Sequence, residues 1–166
     1  MKKALALLVL SLFVLAGASL AQIGIGCQGL AVTTNAITMP TIQWEINPNF
    51  LGEAGLAFTS RGSTSNFTLM FAGKMPLTKT ENIRTHWGFG VAYTSNPALI
   101  ADSNQYIVAL NVGGEYFVQP DLSIEANITP LALLSFTAAG ATTTTLNVLG
   151  SAGAVPPVVI GAHYYL

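Results

Sequence analysis

His86 and His163 are the only imidazoles in this 166-residue chain, and Cys27 is its one cysteine. Any acid-base or nucleophilic chemistry would have to be organised around them, yet no His or carboxylate pair has the spacing of a helix or turn metal site. The serines show no pattern that ties one of them to a histidine base. The sequence therefore predicts no enzyme, no cofactor and no metal. What could act together is a polar cluster of Arg84, His86, Glu115 and Glu125. Gln119-Pro120-Asp121 reads as a tight turn. A three-residue connection there sets Val118 opposite Leu122, Phe117 opposite Ser123, Tyr116 opposite Ile124 and Glu115 opposite Glu125. Two carboxylates facing each other across a ladder repel unless a cation intervenes. Arg84 is expected to supply it, with one guanidinium reaching both.

The elements that must hold this cluster are strands. From Ile83 to Tyr93, Ile83, Trp87, Phe89, Val91 and Tyr93 fall on one face, and Arg84, His86, Gly88, Gly90 and Ala92 on the other. Tyr106 to Val118 repeats this, with Tyr106 and Tyr116 on the apolar face and Asn111, Gly113 and Glu115 opposite. This is the signature of a transmembrane barrel strand, with Trp87, Phe89, Tyr93, Tyr106 and Tyr116 as lipid-facing aromatics. On this parity Trp87→Arg should be more harmful than Gly88→Ser. The same period gives strands at Leu51–Ser60, Asn66–Met75, Ile83–Tyr93, Tyr106–Val118, Leu122–Ile128, Leu131–Thr137, Ala141–Leu149 and Val158–Leu166. The fold class is all-β, an antiparallel up-and-down transmembrane barrel over 51–166 with eight strands. Residues 22–50 stay unassigned. Ile42, Trp44 and Ile46, alternating with Gln43 and Glu45, could add a hairpin and make the count ten.

Composition points the same way. Charged residues make up 8% of the chain, against about 25% in a soluble domain. No charged side chain occurs after Glu125. The alternative, a soluble secreted β-sandwich such as an adhesin or fibre subunit, would need charges on its outer face. Only Val148 to Leu166 approaches helical span length, and Gly150, Gly153, Pro156, Pro157 and Gly161 interrupt it. Lys2, Lys3, the apolar run Ala4 to Gly17 and Ser19-Leu20-Ala21 form a secretory signal over 1–21. Beyond it, Arg61, Lys74, Lys79 and Arg84 stand against 7 acidic residues. No basic patch exists for nucleic acid. Cys27 raises a lipoprotein reading, which Gly24-Ile25-Gly26-Cys27 fits poorly because a leucine-type residue is missing three positions before the cysteine.

Two segments resemble the small outer-membrane β-barrels of the OmpA, OmpX and opacity-protein type. The first is Gly113-Gly114-Glu115-Tyr116-Phe117-Val118-Gln119-Pro120-Asp121-Leu122-Ser123-Ile124-Glu125, similar to their recurrent periplasmic hairpin. The second is the carboxyl end, where Val158, Ile160, Ala162, Tyr164 and Leu166 alternate and Gly161 sits as in a terminal strand signal. Leu166 departs from the usual terminal Phe. The resemblance implies a place in the bacterial outer membrane, with lipid and the barrel-assembly machinery as partners, the latter through Gly161, Tyr164 and Leu166. It carries no specific activity. The His-x-Ser pairing of the lipid A deacylases is absent, since Gly88 and Tyr165 occupy the matching positions. A passive structural or surface-binding role is expected, with the ligand of the outer loops unspecified. A narrow pore for small solutes is the alternative, and needs a wider or glycine-lined lumen.

Overall fold

The computed structural model describes residues 22–30, 38–61, 64–96, 103–149 and 158–166. The segment read as a secretory signal, 1–21, lies outside them. The described residues form nine strands and no helix: β1 Ile23–Leu30, β2 Thr38–Asn47, β3 Phe50–Arg61, β4 Thr64–Lys79, β5 Ile83–Ser95, β6 Ser103–Gln119, β7 Leu122–Ala138, β8 Ala141–Val148 and β9 Val158–Tyr165. Each strand from β1 to β7 pairs antiparallel with the next. β7 pairs with β9, and β9 pairs with β1, which closes the sheet. Closure removes the two-sheet sandwich from consideration and leaves an up-and-down barrel with no open edge along that circuit.

Nine strands fill eight positions. The lower half of β7 is paired with β9, from Leu122 with Tyr164 to Ile128 with Val158. The upper half is paired with β8, from Leu131 with Val148 to Ala138 with Ala141. β8 and β9 thus lie end to end as one interrupted wall strand. The eight predicted strands are corrected in two places. Leu122–Ile128 and Leu131–Thr137 are one strand, because Thr129-Pro130 forms a bulge opposite Asn111, between the Leu110–Leu131 and Val112–Ile128 pairs. A bulge is where a strand tolerates proline, which has no N–H for the ladder. The hairpin left open at 22–50 exists as β1 and β2 and belongs to the barrel, so the barrel begins before residue 51 and still counts eight positions rather than ten.

Gln22, Leu166, Pro48-Asn49, the 80–82 turn and Pro120-Asp121 lie at one end of the barrel, here the near end. Phe117–Ser123, Tyr116–Ile124 and Glu115–Glu125 pair as the turn chemistry predicted. Val118 does not pair with Leu122. It is bulged, and Gln119 takes that partner, so the turn is two residues long. At the far end Ala139 and Gly140 both have positive φ, 49° and 80°. A two-residue hairpin with left-handed central residues is a type I′ arrangement, whose twist matches the flanking strands.

Candidate functional site: the buried polar layer of the lumen

Inward and outward faces alternate along every long strand, and the polar residues point in. On β5 the inward side chains are Arg84 and His86, each 1% exposed. Outward stand Trp87, Phe89 and Val91. On β6, Tyr106 and Tyr116 are likewise outward and exposed. Tyr93 is half-buried, because it packs on Tyr106 directly across the ladder at 5.1 Å and its hydroxyl donates to Asn104 Oδ1 at 2.7 Å.

Two polar tiers fill the near half of the lumen. Nearest the turns, Arg84 Nε donates to Glu115 Oε2 at 2.9 Å, and Nη2 donates to the same oxygen and to the Tyr165 hydroxyl at 2.8 Å. Tyr165 and Ser123 hydroxyls both donate to Glu115 Oε1. The guanidinium also lies over the Phe117 ring, 5.3 Å from its centroid. A buried carboxylate is therefore met by four donors from three strands, which offsets its desolvation.

The second tier is built on Lys74. Its ammonium lies 2.7 Å from Glu53 Oε2 and 2.5 Å from Glu125 Oε1, and donates to Gln43 Oε1 at 3.3 Å. Gln28 donates to Glu53 Oε1 at 2.5 Å, and Asn127 donates to Glu125 Oε1 at 2.8 Å. His86 Nε2 lies 2.8 Å from Asn127 Oδ1 and 3.2 Å from Glu125 Oε1. Gln43 Nε2 donates to the Tyr165 hydroxyl at 3.1 Å, joining the two tiers.

The expectation that Arg84 would bridge both glutamates is corrected. Glu115 and Glu125 are paired in register, but their carboxylates turn to different cations, Arg84 and Lys74. The reading from sequence omitted Lys74, Glu53, Gln43, His163 and Tyr165 from the cluster. Charge counting could have found Lys74. With Glu53, Glu115 and Glu125 in predicted strands, one arginine is too few, and Lys74 is the other basic residue within a predicted strand.

Glycines make room for the large inward groups. A Cβ on Gly24 would stand 2.7 Å from Tyr165 Cε1, one on Gly26 would strike the His163 ring and the Ala162 carbonyl, and one on Gly113 would strike Asn127. Gly26→Val is therefore expected to weaken the β1–β9 closure more than Ile25→Val on the outward face of the same strand, by roughly 1–3 kcal/mol for an overpacked site. Urea titration of both variants in lipid vesicles measures it. Gly88 behaves the same way. Its Cβ would meet the Gly73 carbonyl oxygen and stand 3.1 Å from Lys74 Cα, so Gly88→Ser carries a packing cost of its own, to be set against the lipid-facing cost of Trp87→Arg.

Thr41 Oγ1, His163 Nε2 and Glu125 Oε2 line up as hydroxyl, imidazole and carboxylate, with Oγ1–Nε2 at 3.2 Å and Nδ1–Oε2 at 3.5 Å. Thr41, His163 and Glu125 are all buried. A hydroxyl without an open face has no substrate to attack. Above the tiers Thr129 donates to Asn111 Oδ1 at 3.0 Å, and beyond it Ala132 and Leu134 pack on Ile107 and Ala109, with Asn147, Thr94 and Ser103 also buried in the far half.

No protein-family model matches the sequence, and no curated protein does. Two solved structures show what this chain is similar to. A major outer membrane protein of Thermus thermophilus aligns with a TM-score of 0.45 and 14% identity, over 87% of this chain and 99% of its own. Ail, the attachment invasion locus protein of Yersinia pestis, aligns with a TM-score of 0.39 and 9% identity, over 87% of this chain and 95% of its own. The barrel itself follows from the ladders above, and the residues common to such distant chains are too few to carry the polar tiers from one to another.

Proposed function

We propose that this chain is an integral protein of the bacterial outer membrane whose barrel is a sealed, passive scaffold, with any binding done at its far end. The observation that carries the reading is the inverted distribution of side chains. Glu53, Lys74, Arg84, Glu115 and Glu125 are all buried inside, while Ile25, Leu56, Phe89, Val108, Leu110, Ile124, Leu133 and Ile160 stand exposed outside. Water would favour the opposite arrangement, and a hydrocarbon solvent favours this one. β4, β6 and β7 run 16, 17 and 17 residues, longer than the roughly 9–11 that a tilted strand needs to cross. Their surplus length supports a rim beyond the bilayer on which loops can act.

Two measurements test this. Unheated protein should migrate differently from heated protein in detergent gels, and should stay with the envelope after an alkaline wash. Release by alkali without detergent would overturn the membrane reading. In planar bilayers the tiers should hold steady conductance near background, and a large steady conductance would replace the sealed scaffold with the narrow pore.

Assembly through the last strand belongs to the same proposal. Tyr164 is outward, Gly161 pairs with Gln28 and Glu125 on the two flanking strands, and the Leu166 amide donates to the Ile23 carbonyl at 2.9 Å. The strand that closes the barrel is the one the assembly machinery would read. Replacing Tyr164 and Leu166 together with Asp should reduce the outer-membrane level at least tenfold, as read by blotting the envelope fraction. A normal level would remove Gly161, Tyr164 and Leu166 from that role.

A further inference from the structure

We propose that Glu53, Glu125 and His163 form a site for one divalent transition-metal ion in the near half of the lumen. Each can offer one ligand atom, and these atoms lie within 4.8 Å of one another on β3, β7 and β9. Their separation in sequence is why no motif announces them.

The pointer to a ligand is a pair of atoms without hydrogen-bond partners. His163 is 0% exposed and Glu125 is 1% exposed, yet neither His163 Nδ1 nor Glu125 Oε2 makes a hydrogen bond. They face each other at 3.5 Å. Two ligand atoms each about 2.1 Å from a tetrahedral zinc stand about 3.4 Å apart, so the gap has the width of one coordination edge.

The surroundings orient both groups. His163 Nε2 lies 3.2 Å from Thr41 Oγ1 and 3.4 Å from Glu53 Oε1. Placing the ring proton on Nε2 lets it donate to Thr41 Oγ1 and leaves the Nδ1 lone pair aimed at Glu125, while Glu53, beside Gln28 and Lys74, completes the set with a remaining carboxylate lone pair. A metal-binding imidazole is commonly fixed through its other nitrogen in this way. Glu125 is held through Oε1 by Lys74 and Asn127, which leaves Oε2 free. Lys74 neutralises one carboxylate equivalent. With Arg84 committed to Glu115, the pair Glu53 and Glu125 keeps one negative charge for an incoming cation. An imidazole with two carboxylates suits zinc and its neighbours better than calcium or magnesium.

The experiment uses the full mature chain, refolded from urea into detergent with Zn2+ or with a chelator, and freed of loose metal by gel filtration. One zinc per folded barrel is expected, with X-ray absorption showing one imidazole and otherwise oxygen scatterers. Glu125→Gln, which keeps the size and most hydrogen bonds, should lose the ion, whereas Glu45→Gln, the same change at a carboxylate outside the set that faces Lys79, should keep it. Zinc below one-tenth of an ion per folded wild-type barrel overturns the site. So does a first shell without imidazole, or undiminished zinc in Glu125→Gln. If Glu125→Gln fails to fold, the stoichiometry and shell of the wild type still decide. Failure here leaves the membrane reading intact, since heat-modifiable migration is scored in the same samples.

Discussion

Lys74→Met should prevent this barrel from folding or lower its stability by about 3–5 kcal/mol, because it leaves Glu53 and Glu125 as uncompensated charges in the lumen. Both carboxylates lie within 2.7 Å of that ammonium and have no second cationic side chain of the Lys or Arg type in contact. The cause can be separated from loss of packing. Adding Glu53→Gln and Glu125→Gln to Lys74→Met removes the charges with little change of volume, and neutral replacement of buried ion sets is often tolerated. The triple variant should therefore recover most of the heat-modifiable band that the single variant loses. Equal loss in both would mean that Lys74 matters for its shape rather than its charge. Arg84→Met should act alike on Glu115, with a milder outcome, since the Tyr165 and Ser123 hydroxyls still donate to that carboxylate.

The legible parts of the fold were those in which one rule decided the residue. On β5, bulky outward and small or polar inward residues alternate without exception from Trp87 to Val91, so period two fixed the strand and its parity. The Glu115–Glu125 register came out as expected through two differences that cancel: the turn is two residues rather than three, and the bulge at Val118 restores the offset. Elsewhere two needs competed. β1 reads Ile-Gly-Ile-Gly-Cys-Gln-Gly-Leu, too rich in glycine for strand propensity. The inward glycines are there because Tyr165 and His163 of β9 occupy the space beside them, a tertiary demand that no local pattern records. On β3 the inward residues are Leu51, Glu53, Gly55 and Ala57, a mixture that blurred the parity and hid Glu53. The interrupted eighth position was invisible for another reason. Ala141–Val148 and Val158–Tyr165 each satisfy the strand pattern, and only the β7 ladder reveals that they share one neighbour. The polar tiers were half legible because their members come from separate strands, and parity without register cannot say which carboxylate meets which cation.

Phe89→Arg should cost about 2–4 kcal/mol in a bilayer, the penalty for a cation at the midplane of a barrel's lipid face. Phe89 is halfway along β5, pairs with Leu110 on one side and Gly73 on the other, and points outward with half its surface exposed. It also covers Gly73, whose missing side chain it and Phe50 replace on the outer wall. Phe89→Leu controls for that cover and should cost less than half as much. The contrast that matters is with depth. Leu77 is outward too, but it sits in the bulge between Pro76 and Thr78, one turn from the near end. There an arginine can reach the headgroups, and Leu77→Arg should cost about 0–1 kcal/mol. Urea titrations in vesicles would measure all three. A lipid solvent predicts a gradient from Phe89 to Leu77, whereas an aqueous one predicts that arginine is harmless at both positions, because an exposed cation in water gives up no hydration. Equal and small penalties would therefore remove the bilayer from the account of this exterior and leave its apolar side chains without a solvent.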